Sequence, residues 1–103
     1  LNGFIDMVYQ DADGQVCIID YKSNHLGMHE SDYHQEAMNE AMAAHHYYLQ
    51  ALIYAIAVAR YFKLRGQALP RIAVRYLFLR GMDGSGKGVW AWDIDAADLA
   101  AWL

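Results

Sequence analysis

Polar and apolar positions alternate from Gly3 to Gln10, in a stretch rich in Phe, Ile, Val and Tyr, which predicts a strand. Asp11-Ala12-Asp13-Gly14 then supplies turn residues. Gln15 to Lys22 predicts a second strand, and its continuously apolar centre places it deeper in a sheet. Ser23 to Asp32 is polar, contains a glycine and reads as loop. From Tyr33 to Arg65 there is neither Gly nor Pro, and apolar residues return at three- and four-residue steps, through Ala37, Met38, Ala41 and Met42 and then Leu49, Leu52, Ile53, Ile56 and Ala57. That period is helical, and the length leaves room for a break near His45-His46. Gly66 ends the segment. Ile72 to Arg80 and Val89 to Ile94 predict two more strands around a glycine-rich turn, and Asp95 caps a short amphipathic helix that ends in Trp102-Leu103. The order β-β-α-β-β-α specifies an α/β domain: a mixed sheet of about four strands, a long helix on one face and a short C-terminal helix.

Composition narrows the class. At 103 residues the chain supports one domain, expected over 1–103, and 56% hydrophobic residues exclude intrinsic disorder. The longest apolar run, Ala51 to Ala59, is about half of a bilayer span, so no membrane role is expected. A single cysteine forms no internal disulfide and no signal peptide is visible, which together lead us to expect a cytoplasmic protein. The chain opens Leu-Asn-Gly-Phe and enters its first strand almost at once, as a fragment of a larger protein would. Net charge is −4, with the acidic excess confined to residues 1–50 and a basic excess in 51–103.

The candidate chemistry lies where the second strand ends. Side chains two apart on a strand share a face, so Asp20 and Lys22 point the way Val16 and Ile18 do, and an apolar face finishes in charge. The first turn ties Asp6 to this place. A type I turn over Asp11–Gly14 with Gly14 as a left-handed bulge gives a three-residue loop, pairs Asp11 with Gln15, and sets Asp6 opposite Asp20. Two carboxylates about 5 Å apart repel by roughly 3 kcal/mol at an effective dielectric near 20, and a divalent cation would offset that. Hard oxygen ligands suit Mg²⁺, with Mn²⁺ as a substitute. Lys22 beside them could orient a water or hold a phosphate oxygen. The plainer alternative is a solvated strand end carrying an Asp20–Lys22 ion pair.

The blocks Gly3-Phe4-Ile5-Asp6 and Asp20-Tyr21-Lys22-Ser23-Asn24 resemble the D…(D/E)xK signature of the PD-(D/E)XK nucleases, and within them the RecB-type C-terminal nuclease domain of helicase–nuclease subunits. The resemblance continues through Leu26-Gly27, Tyr47 to Tyr61, and Tyr76-Leu77-Phe78-Leu79-Arg80-Gly81-Met82, so it covers most of the chain. It implies a restriction-endonuclease-like fold and Mg²⁺-dependent hydrolysis of DNA phosphodiesters during double-strand-break repair, with DNA and other complex subunits as partners. By motif match Asp6, Asp20 and Lys22 would be catalytic, Asp6, Asp20 and the Tyr21 carbonyl would hold metal, and a histidine ligand would come from upstream of Gly3. Gln50 and Tyr54 match a Q-x-x-x-Y helix motif; four apart, they share a helix face and would support Lys22 or contact DNA.

The remaining candidates are weaker. His25, His29, His45 and His46 have no structural-zinc spacing, and Cys17 reads as a core residue. The glycine-rich segment 81–88 lies between strands and lacks the helix that a phosphate loop requires. Arg60, Lys63, Arg65, Arg71, Arg75 and Arg80 could follow a DNA backbone or simply be solvated. Two rival functions stand beside the nuclease: a catalytically inactive nuclease-fold module for DNA binding or scaffolding, against which the intact Asp6–Asp20–Lys22 set argues, and a stand-alone iron–sulfur exonuclease, against which the single cysteine argues.

Overall fold

A computed structural model describes residues 5–22, 34–78 and 88–103. Among these residues four strands form one sheet in the order β1 (Met7–Gln10), β2 (Val16–Lys22), β3 (Arg71–Phe78) and β4 (Val89–Asp95). β1 runs antiparallel to β2, β2 parallel to β3, and β3 antiparallel to β4. The crossover between the parallel pair carries α1 (Gln35–Ala44) and α2 (Tyr47–Leu64), and a 3-10 helix over Ala96–Trp102 follows β4. The expected mixed sheet with helices is present. The expected blocks at Gly3–Phe4, Ser23-Asn24, Leu26-Gly27 and 79–82 lie outside the described residues, as do His25, His29 and Arg80.

The β1–β2 hairpin is the one its turn sequence dictates. Gly14 takes φ +84°, its N–H donates to the Asp11 carbonyl at 3.0 Å, and Asp11 N–H donates to the Gln15 carbonyl at 2.9 Å. The Asp11 carboxylate accepts from the N–H groups of Asp13 and Gln15, which locks the loop. Met7 consequently pairs with Ile19 and Gln10 with Val16, the register that sets Asp6 against Asp20.

The long helical stretch is two helices. His46 adopts a left-handed conformation at φ +59°, unusual for a residue with a Cβ, and the chain turns there between α1 and α2. His45 stacks on the Tyr47 ring with centroids 5.2 Å apart, bridging the break. At the far end α2 closes in a Schellman motif: Gly66 at φ +67° donates to the Lys63 carbonyl, and Gln67 N–H donates to the Phe62 carbonyl at 3.0 Å. The C-terminal helix winds with a three-residue period, which suits Ala96 and Leu99 as its buried pair, and the Asp95 carboxylate caps it by accepting from Ala97 N–H at 3.0 Å.

The core lies between one sheet face and the helices. Val16 and Ile18 of β2 and Ile72, Val74, Tyr76 and Phe78 of β3 meet Met38 and Met42 of α1 and the alanines 51, 55 and 59 of α2. Those alanines recur every fourth residue, and their small side chains let α2 lie close against the sheet. The helices cover the face of β2 that carries Asp20 and Lys22, both buried. Tyr9, Cys17, Ile19, Tyr21 and Leu77 stand on the opposite face, partly or largely exposed, and Arg75 pairs there with Asp93 at 2.6 Å. Cys17 is therefore a half-buried residue of the open face and not a core residue, because the alternation along β2 assigns the core to the even positions. Of the tryptophans, Trp90 is buried, Trp92 partly so, and Trp102 exposed. No helix among the described residues is long and apolar enough to cross a membrane.

Candidate active site

The C-terminal end of β2 and the N-terminal half of α2 meet on the covered face, and their polar side chains meet there too. Lys22 Nζ lies 3.2 Å from Asp20 Oδ2 and donates to Gln50 Oε1 at 2.9 Å. Tyr54 donates its hydroxyl to the same Asp20 oxygen at 3.3 Å. Asp20, Lys22 and Gln50 are 4%, 8% and 7% exposed, so this is an interior network and not a solvated strand end. Gln50 and Tyr54 occupy one face of α2, as their spacing requires, and both turn to the strand.

Lys22 is also enclosed by aromatic rings. Its ammonium sits 3.9 Å from the Tyr47 ring centroid and 4.8 Å from that of Tyr76. Tyr76 belongs to β3, directly beside Asp20 in the parallel register, and donates its hydroxyl to Gln50 Oε1 at 2.9 Å. Neither ring was singled out for the site from the sequence. Tyr47 carried a signal, since it lies three residues before Gln50 and seven before Tyr54 on the same helical face. Tyr76 carried only its place in the resembling block that begins there, because strand alternation does not reveal which strand pairs in parallel with β2.

Asp6 holds a different position. It is exposed immediately before β1, and its Oδ2 accepts from the Tyr21 backbone N–H at 2.7 Å. The Tyr21 side chain points to the open face and is 43% exposed, so only its backbone is turned toward the site. The repulsion expected between Asp6 and Asp20 is met inside the protein by separate partners: Tyr21 N–H for Asp6, Lys22 for Asp20. The compensation is incomplete. Burial pushes the Asp20 carboxyl above its ordinary range and nearby Asp6 pushes it further, against the attraction of Lys22. The same burial and the Asp20 charge raise Tyr54 to about 12 and push Tyr76 higher still, so both phenols remain donors at any working pH.

A divalent metal fits this donor set in part. Two carboxylates, one buried with its charge disfavoured and one open to solvent, supply hard oxygen ligands and an unsatisfied demand for positive charge. Among the described residues no group of three or more His, Cys, Asp or Glu side chains is arranged to hold a metal, so the two aspartates form the acidic part of the set. His45 and His46 lie at the helix break and join no such group.

Among the described residues, the arginines and Lys63 do not gather around this site. Arg60 donates to the Trp102 carbonyl at 2.8 Å, Arg65 lies over the Tyr61 ring, and Arg75 pairs with Asp93. Arg60 and Lys63 are on the last turns of α2, Arg65 caps it, and Arg71 begins β3, at the end of the sheet away from Lys22.

Sequence comparisons show the family. Residues 1–102 match the PD-(D/E)XK nuclease superfamily. The chain is 44% identical over 93 residues to the RecBCD enzyme subunit RecB of Escherichia coli K12, an overlap of 81% of this chain and 7% of that protein. It is 37% identical to the RecB subunit of Haemophilus influenzae over 96% of this chain, and 38% identical to that of Mycolicibacterium smegmatis over all of it. The chain spans about a tenth or less of the length of these relatives.

Proposed function

The chain belongs to the PD-(D/E)XK nuclease superfamily, and from that premise we propose that it is a metal-dependent deoxyribonuclease, the nuclease core of a RecB-like subunit in a cytoplasmic helicase–nuclease complex. One observation carries the reading: a buried lysine held between a buried aspartate and a helix glutamine, with a second aspartate at the neighbouring strand end. An ammonium and a carboxylate taken out of water cost several kcal/mol each before pairing, and a hydrophobic pair of similar volume would serve stability as well. Such a network is expected where chemistry needs it.

Asp6 and Asp20, with the Tyr21 carbonyl, would hold Mg²⁺, or Mn²⁺ in its place. The metal when bound would supply Lewis-acid stabilisation of charge on the phosphate oxygens. The chain's own residues divide the remaining work. Lys22 spends two N–H donors on Asp20 and Gln50 and lies over the Tyr47 ring, so it is its positive charge that an attacking water or a phosphate oxygen would meet. Gln50 and the two rings fix where that charge sits, and Tyr54 fixes the Asp20 carboxylate. Hydrolysis forms a bond from water to phosphorus and releases the sugar oxygen, and positive charge at Lys22 Nζ stabilises the phosphorane-like transition state.

The test is cleavage of linear single-stranded DNA with Mg²⁺ or Mn²⁺, by the chain and by its Asp20→Ala variant. Cleavage that requires both the metal and Asp20 is expected. DNA binding without cleavage, persisting when residues upstream of Leu1 are supplied from a RecB relative, would establish a binding module instead.

A further inference from the structure

Gln50 has no value to Lys22 unless its amide oxygen, and not its amide nitrogen, faces the ammonium. An ammonium only donates, so the interaction is attractive in one amide orientation and repulsive in the other. The same oxygen accepts from the Tyr76 hydroxyl at 2.9 Å, closer than the Tyr47 carbonyl, the hydroxyl's other acceptor, at 3.3 Å. Tyr76 is fully buried, and its ring is one of the two faces against the Lys22 ammonium. Its position is fixed twice more: its strand register sets it beside Asp20, and its ring packs on Tyr47 and Trp90 with centroids 5.8 and 5.6 Å away. Trp90 is anchored in turn by donating its indole N–H to Asn39 of α1 at 3.2 Å.

We infer that Tyr76 is a positioning residue for the reaction, holding the Gln50 amide oxygen toward Lys22 with its hydroxyl and supporting the ammonium with its ring. This inference rests on the nuclease reading. It assigns β3 a part in a site that otherwise consists of β2, α2 and the start of β1. The two contributions separate chemically, since Tyr76→Phe removes the hydroxyl and keeps the ring.

The experiment uses the chain with Mn²⁺ and linear single-stranded DNA, with Lys22→Ala as the control that the chemistry is that of this site. For Tyr76→Phe, kcat falls about fivefold with KM for DNA unchanged, the size of one lost hydrogen bond acting in the transition state. In a Gln50→Leu background the same substitution has no further effect, because its target is gone. An unchanged kcat, an equal loss in both backgrounds, or a change confined to KM would overturn the inference. A second readout needs no turnover: in the carbon–proton NMR spectrum, the Lys22 ε-methylene of the unsubstituted chain stands upfield of that of Lys63, shifted by the two rings, and Tyr76→Phe moves it. A Lys22 signal that is not ring-shifted, or that Tyr76→Phe leaves in place, would also overturn it. Should the unsubstituted chain fail to cleave even with the upstream residues of a RecB relative supplied, while its Lys22 signal is ring-shifted and moves in Tyr76→Phe, the nuclease reading fails and the Tyr76–Gln50–Lys22 geometry stands.

Discussion

The Lys22 ammonium and the Gln50 amide oxygen lie 2.9 Å apart across 28 residues of sequence, joining the end of β2 to the first turns of α2. Gln50→Leu would leave the buried ammonium with one fewer acceptor. We expect kcat to fall about tenfold and stability by about 1–3 kcal/mol, the range for stranding a buried polar group. Steady-state kinetics and urea denaturation measure both, and an unchanged kcat would show that Gln50 only packs.

Asp20 gives a prediction of opposite sign. Its carboxyl is held above the ordinary range, with burial the main cause. In the unfolded chain it titrates normally, so at neutral pH its charge costs the fold stability, and the cost is lifted as pH falls through the raised folded value. Asp20→Asn, whose amide oxygen still accepts from Lys22 and Tyr54, should therefore raise the metal-free thermal midpoint near pH 8 while abolishing cleavage. The gain should vanish below about pH 3 to 4, where the carboxyl is protonated in both states. Calorimetry in chelator at the two pH values checks it, and a lowered midpoint near pH 8 would contradict it.

Metal affinity follows from the same group. A proton and a cation compete for the Asp20 carboxylate, and its raised proton affinity extends that competition to higher pH than an ordinary aspartate would. The Mn²⁺ concentration for half-maximal cleavage should rise as pH is lowered from 8 toward 6, and a flat dependence would place the metal elsewhere.

Away from the site, Gly66 ends α2 at φ +67° with nothing within 4 Å of where a Cβ would stand. Alanine there meets no steric contact but adopts the strained left-handed conformation, so Gly66→Ala should cost about 1 kcal/mol in urea denaturation and leave kcat alone. Equal stability of the two chains would mean that α2 can end another way.

What the sequence revealed was local. Asp-Ala-Asp-Gly encodes one turn, that turn sets one register, and the register carries Asp6 to Asp20. The spacing of Gln50 and Tyr54 likewise places them on one helical face. What it concealed depends on packing across the fold. The parallel pairing of β2 with β3 brings Tyr76 beside Asp20, and strand alternation is the same for every neighbour. The length of the helical stretch left room for the break at His45-His46, but with no Gly or Pro there the left-handed turn of His46 that makes it was not legible. Arg60, Lys63, Arg65 and Arg71 looked available for DNA because composition gives charge without direction, and the folded chain carries them to the far end of the sheet.

The division of labour between Asp6–Asp20 and Lys22 is tested most directly by Mn²⁺ titration into Lys22→Ala chain taken from the preparation used for the cleavage assay. We predict that cleavage drops below about 1% of the unsubstituted chain, as expected for loss of a charge that stabilises the transition state. Mn²⁺ should still bind within a few-fold of its original affinity, because both aspartates remain and Asp20 has lost its internal cation. Loss of Mn²⁺ binding together with cleavage, or cleavage that survives without Lys22, would contradict the account.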